Sequence, residues 1–335
     1  MKTRWGQLRR RLLGLSPVET SFAQRGFRGA TPEMRERLEQ VGATFLAGYH
    51  AALEHESVGG LADALAGVEL EWRGFAFEGA AMGLALLDGL SPWRSSRVRR
   101  FLEGPGDDHA YMVHVGVGWL WARMPILARR LQGQLDPMLG WLAFDGWGFH
   151  EGFFHWPKYI AGQPAPKRLD GYQRRAFDQG LGRSFWFVNG GNVELVAEEL
   201  ARFPADRQAD LWSGIGLAAT YAGLADGGVL MALRAASARH VPQLAQGAAF
   251  AAKARQRAGN LTAYTGLATE VLCGLPAREA ARLCDIALEN LPREVRATPA
   301  GARENHGAGA SPPAYEIWRQ RLQSHFQQNA QLQPA

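Results

Sequence analysis

A chain of 335 residues with 47% apolar and 21% charged residues has a globular balance, and its 40 glycines follow no collagen period, which excludes a fibrous protein. The net charge of +5, from 37 basic against 32 acidic residues, is too small an excess to point to nucleic acid, and no window approaches the roughly 20 apolar residues of a membrane span. Two cysteines, Cys273 and Cys284, build neither a disulfide framework nor a Cys-x-x-Cys site, which fits a cytoplasmic protein with buried thiols.

Residues 1–30 form a basic N-terminal segment. Arg4, Arg9, Arg10 and Arg11 stand beside Trp5, Leu12 and Leu13, a pattern of a solvated helix or, at most, of peripheral contact with an anionic membrane. Leu12 to Leu15 is too short an apolar core for a signal peptide. Residues 31–290 read as a helical body. Periodicity near 3.6 predicts helices over 33–55, 61–90, 111–131, 137–160, 181–203, 205–224, 243–258, 261–273 and 277–290, and alternating strand patterns are nearly absent. The segments 91–108 and 161–178 read as irregular connections. Residues 291–335 read as a Gly/Pro-rich loop followed by a closing helix near 315–327.

Small residues followed by bulky ones recur at Gly48-Tyr49, Gly118-Trp119, Gly182-Arg183-Ser184-Phe185 and Gly247-Ala248-Ala249-Phe250, and Glu78-Gly79 returns as Glu151-Gly152, at offsets of 64 to 73 residues. A unit of that length holds two helices and must stack on its neighbours to cover its apolar face. The fold class expected is all-α: an α/α architecture of degenerate paired, antiparallel helices in a single globular domain. Glycine costs about 1 kcal/mol in a helix interior, so its frequency here predicts close helix packing.

No nucleophile elbow, phosphate-binding loop or dinucleotide fingerprint is present. Asp107-Asp108-His109 reads as a turn capped by Asp108. In Gly146-Trp147-Gly148-Phe149-His150-Glu151-Gly152-Phe153-Phe154-His155-Trp156, a helix would bring Glu151 and His155 onto one face. A carboxyl among aromatic residues is desolvated, which raises its pKa toward neutrality and suits it to proton transfer. Glu151, His155, Glu78 and His50 are therefore the candidate catalytic residues, and Glu78, Glu151 and His155 should approach one cavity lined by Trp147 and Phe149. Trp147, Phe149, Phe77, Tyr49 and Trp119 are candidate binding residues for an apolar or conjugated ligand. The carboxylate and histidine types resemble helix-bundle dimetal sites but miss their spacing, so no metal ligand is assigned and the cofactor stays unknown.

Several blocks also carry a family resemblance: Arg11-Leu12-Leu13-Gly14-Leu15-Ser16-Pro17, Arg73-Gly74-Phe75-Ala76-Phe77-Glu78-Gly79-Ala80, Gly148-Phe149-His150-Glu151-Gly152, Gln179-Gly180-Leu181-Gly182-Arg183-Ser184, Gln246-Gly247-Ala248-Ala249-Phe250 and Tyr315-Glu316-x-Trp318-Arg319. The chain resembles the UnbL family, a bacterial domain of unknown function encoded beside the polyketide synthase of enediyne cassettes, often with UnbV and membrane-bound UnbU proteins. The resemblance implies a pathway and no particular reaction. It leads us to expect a role in making an enediyne or related polyketide-derived polyunsaturated product. The partner would be an apolar conjugated small-molecule intermediate, with UnbV/UnbU-like proteins alongside and no nucleic acid. Three mechanisms are compatible: an acid/base-assisted tailoring enzyme or cyclase, a noncatalytic scaffold or carrier that shields the intermediate, and a carboxylate/histidine metal-dependent oxidase.

Overall fold

The computed structural model describes residues 3–91, 95–169, 171–292 and 312–332. Local chemistry starts many of the helices. Thr3 caps α1 (Arg4–Leu13), and Ser21 caps the one-turn α2 (Phe22–Arg25). Thr31 accepts from the Met34 N–H, with Pro32 in the first turn, to start α3 (Pro32–Glu54). Ser57 does the same for α4 (Val58–Ala66). There follow α5 (Arg73–Leu90), α6 (Arg97–Leu102), α7 (Ala110–Arg123), α8 (Ala128–Gln132), α9 (Trp141–Gly162) and α10 (Gly171–Val188). Asn192, Asp226 and Thr262 cap α11 (Val193–Ala201), α13 (Gly227–Ser237) and α15 (Ala263–Cys273). Between and after these lie α12 (Ala205–Ala222), α14 (Val241–Arg257), α16 (Ala277–Leu288) and α17 (Ala314–Leu332). Among the described residues there is no strand, and the fold is all-α in one globular domain.

The long helices α3, α5, α7, α9, α10, α12 and α14 pack side by side in chain order. Their crossings are made by glycine. A Cβ on Gly48 would overlap the Ala76 carbonyl, one on Gly79 that of Phe45, one on Gly180 that of Asp145, and one on Gly214 that of Gln179. Gly116-x-Gly118, Gly146-x-Gly148, Gly180-x-Gly182 and Gly214-x-Gly216 place one glycine against the preceding long helix and one against the following. The helix axes can then approach until backbones touch, and the packing offsets the propensity that glycine loses.

This motif returns every 30 to 34 residues, so each offset of 64 to 73 spans two units rather than one. One unit is a long helix and the shorter stretch after it. Neighbouring long helices run in the same direction, contrary to the antiparallel expectation. Gly79 lies against Phe45 and Gly83 against Tyr49; Arg175 bonds Asp210 and Ser213 bonds Gln179; Ser213 bonds Gln246 and Arg255 bonds the Tyr221 carbonyl. Residue numbers rise together along both members of each pair. The short helices α4, α6, α8, α11 and α13 carry the chain back, and 163–169 do so without a helix. For this reason the spans 61–90, 111–131 and 181–203 each break in two, while α6 and the start of α10 occupy stretches that read as irregular and α13 lies between the helices expected at 205–224 and 243–258. A 3-10 turn covers Asp107–His109, but no side chain caps it, and Asp107 instead pairs with Arg257 at 2.7 Å.

The row of helices bends until its ends meet. Arg37 on α3 donates to the Ala222 carbonyl at 2.7 Å, Arg255 on α14 reaches the Glu71 carbonyl, and Asn260 donates to the Leu70 carbonyl at 3.1 Å. Phe75 on α5 meets Tyr221 on α12 edge to face, 5.1 Å between centroids. The closing helix α17 docks with Tyr315, Trp318 and Arg319 buried. Of the 291–335 segment, residues 293–311, which hold most of the Gly/Pro-rich loop, lie outside the described residues.

Candidate functional site

The bend encloses an apolar cavity between α3, α5, α7, α9 and α10. Phe45, Phe75, Met82, Trp119, Phe149, Phe153, Phe154 and Phe187 line it, and Glu78 and Arg183 supply its polar end. Leu15, Glu19 and Thr20, between α1 and α2, close one side next to Arg123. The space open to the centre of a water molecule is about 40 Å³. That admits a few waters or the slim end of an unsaturated chain.

Glu78 is 4% exposed, and the Trp119 indole N–H donates to its Oε1 at 3.0 Å. Burial pushes its carboxyl up to about 7, against the downward pull of the Arg183 guanidinium and the Trp119 hydrogen bond, while Asp145 adds to the rise. Arg183 binds Asp145 through Nη1. Burial disfavours its charge, but Asp145 and Glu78 outweigh that and raise its pKa, so it stays cationic. Its Nε–H is buried with no acceptor. The site thus has a carboxylic acid able to gain or lose a proton near neutrality, a fixed cation, and aromatic walls.

The G-x-G register explains which side chains arrive here. The residue after the second small position is Met82, Trp119, Phe149 or Arg183 in successive long helices, and all four line the cavity. The residue before the first glycine is Glu78, Val115, Asp145, Gln179, Ser213 or Gln246. Most of this second row is polar and laced together: Gln179 donates to Asp145 at 2.8 Å, and Ser213 donates to Gln246 at 2.9 Å. Arg183 and Asp145 were not among the sequence candidates. The 64-residue offset already sets Arg183 opposite Trp119, and aligning the helices at about 34 residues adds Phe149 to the same row.

Of the candidate residues, the structure brings Glu78, Trp119 and Phe149 to the cavity. Glu151 and His155 do not share it. Pro157 lies inside α9, where it has no N–H to donate and its ring crowds the preceding turn. The helix kinks at His155 (φ −129°, ψ 26°), and His155 is exposed. Glu151 sits outside the cavity, accepting from the Tyr159 hydroxyl at 2.8 Å, with His150 at 3.5 Å. Burial pushes the Glu151 carboxyl up, but His150 and Tyr159, with His155 adding less, outweigh it and hold its pKa below the ordinary value. The carboxyl is therefore ionised near neutrality, unlike that of Glu78.

His50 accepts from the Leu15 N–H at 3.2 Å, and Tyr49 donates to the Leu13 carbonyl at 2.8 Å, so both hold the N-terminal segment against α3. Phe77 faces away from the cavity and stacks on Phe101 and His109. Trp147 is buried but does not border the cavity. Among the described residues no three His, Cys, Asp or Glu side chains come together as a metal ion needs.

Fold and site together define an all-α protein of glycine-crossed helical repeats built around a buried carboxyl–guanidinium cavity. The chain belongs to the DUF1702 family, described as a protein of unknown function, which matches residues 4–326. No curated protein and no solved structure matches it. Among the described residues no helix is long and apolar enough to cross a membrane.

Proposed function

We propose that the protein takes part in making an enediyne or related polyketide-derived polyunsaturated product, in the cytoplasm. In this reading it binds a conjugated polyene or polyyne intermediate in the aromatic cavity and assists its maturation by moving a proton through Glu78. One observation carries the reading: a carboxyl titrating near 7 is sealed among aromatic rings, where an apolar conjugated guest would lie against it. The resemblance to the UnbL family supplies the pathway. The acid/base role falls to Glu78 because Glu151 is held ionised outside the cavity. A guest longer than the cavity requires the segment around Leu15 to Thr20 to move aside.

Deleting the gene in a producing strain tests this. The mature product should disappear while linear polyenes accumulate, and the wild-type gene or Glu151→Gln should restore it, whereas Glu78→Gln should not. Undiminished production by the deletion strain would sink the proposal. A second reading, a noncatalytic carrier that shields the intermediate and docks UnbV/UnbU-like partners or a membrane, has its own observation. Trp5, Leu8 and Leu12 are exposed along one face of α1, with Arg4 and Arg11 also exposed. Restoration by Glu78→Gln would favour it.

A further inference from the structure

We infer that the polar end of the cavity is a carbonyl-oxygen site, and that the ligand is an apolar conjugated aldehyde, ketone or thioester whose oxygen accepts from Arg183 Nε–H and the Glu78 hydroxyl. The inference rests on the cavity being the ligand site. It follows from counting donors and charges.

The donors exceed the acceptors. Arg183 is 6% exposed and spends Nη1 on Asp145, while its Nε–H meets nothing. Trp119 already occupies one oxygen of Glu78, so the protonated acid offers its O–H to whatever lies in the cavity. The Tyr221 hydroxyl, beside Phe75, is likewise buried without a partner. A buried donor left unmet costs about 1–3 kcal/mol. What is missing is an acceptor, which a hydrocarbon cannot supply.

The charges select a neutral acceptor. At this end Asp145 and Arg183 cancel as an ion pair and Glu78 with its proton adds nothing, while the other lining guanidinium, Arg123, is exposed to solvent, which screens its charge. A carboxylate ligand would bring an unbalanced negative charge among aromatic rings, at a cost of several kcal/mol. A carbonyl oxygen brings two lone pairs and no charge. The groups that face Glu78 are Trp119 on α7, Asp145 on α9, Arg183 on α10 and Tyr221 on α12, with Arg123 and Glu19 along the cavity lining and His150 beside Trp119, while α3 lines the cavity with Val41, Phe45 and Leu46 and brings no charge. Burial keeps His150 neutral, so deprotonation of Glu78 is the change that removes a donor from the site as pH rises.

The test uses the purified full-length protein and a matched set of small conjugated probes: sorbaldehyde, sorbyl alcohol, sorbate and the corresponding hexadiene. No lysine lines the cavity to trap the aldehyde as an imine. Binding is read by quenching of tryptophan fluorescence and by mutual competition, and the bound carbonyl by its stretching frequency. Sorbaldehyde should bind at least about tenfold more tightly than the diene and sorbate, the worth of one hydrogen bond from a charged donor. Its carbonyl band should move to lower frequency, and its affinity should fall between pH 6 and pH 8.5. Arg183→Lys keeps a cation for Asp145 but removes Nε–H, so about tenfold in affinity and the band shift should go. Should that variant not fold, the wild-type probe series decides alone. Equal binding of aldehyde and diene, or tightest binding by sorbate, overturns the carbonyl site while leaving the cavity as a ligand site. No binding by any probe overturns both.

Discussion

Glu78 couples the cavity to stability. Its carboxyl titrates at about 7 in the folded protein against 4.5 for an ordinary glutamate, so between those values the folded state holds a proton that the unfolded chain has lost. The contribution is therefore fully present below about 4.5 and is lost as pH rises through 7, for about 3 kcal/mol in all. Glu78→Gln cannot lose a proton. In urea denaturation the variant should gain on wild type by about 3 kcal/mol between pH 4.5 and pH 8, and a difference that does not change with pH would show that Glu78 ionises freely. Asp178, raised by burial to about 6 despite Arg207, acts in the same direction but cancels in the comparison. Glu78 was legible in the sequence because aromatic residues and a glycine surround it. Glu151 has the same surroundings in sequence, yet the His150 ring and the Tyr159 hydroxyl give it the opposite chemistry.

The long helices depend on glycine where they cross and not elsewhere. Gly180→Ala would drive a Cβ into the Asp145 carbonyl, whereas at Gly266 in α15 nothing lies within 4 Å. Backbone cannot yield as a side-chain tip can, so Gly180→Ala should cost about 3 kcal/mol or more, and Gly266→Ala should gain about 0.5–1 kcal/mol. Thermal melting of the two variants checks the contrast; equal and small shifts would mean that the crossings are looser than described. Helix α1 makes a different prediction. Its exposed Trp5, Leu8 and Leu12, one helical face with arginines nearby, should bind phosphatidylglycerol vesicles in flotation and leave neutral phosphatidylcholine vesicles free. Trp5→Ser with Leu12→Ser should abolish that flotation without altering the melting curve. The N-terminal cluster was readable as basic and partly apolar, but only packing against α3 tells which apolar residues remain outside.

At the scale of the whole molecule, α17 is tied to the body by buried charge. Arg319 is fully buried, donating to Asp210 at 2.7 Å and Glu316 at 3.1 Å, and Arg175 binds the same two carboxylates from α10. Tyr315 and Trp318 add contacts to Gln179 at 3.2 Å and to the Cys284 carbonyl at 2.9 Å. Removing one member of such a network leaves buried charge uncompensated, so Arg319→Ala should destabilise the protein by about 3–5 kcal/mol in denaturant unfolding. A loss below about 1 kcal/mol would mean that α17 is only loosely attached. The Tyr315-Glu316-x-Trp318-Arg319 block is explained by this docking.

Helical class, the repeat and the chemical character of the interior all follow from the sequence, because 3.6-residue periodicity, recurring glycine and clustered aromatic residues are local patterns. The direction of the long helices and the length of the repeat unit depend on how the chain returns between them. That return is made by short helices whose periodicity merges with their neighbours'. Which polar groups meet was decided by tertiary structure alone. Glu78 and Arg183 are 105 residues apart in the chain, and they reach one cavity only because five helices crossing at glycine bring their register positions to the same side.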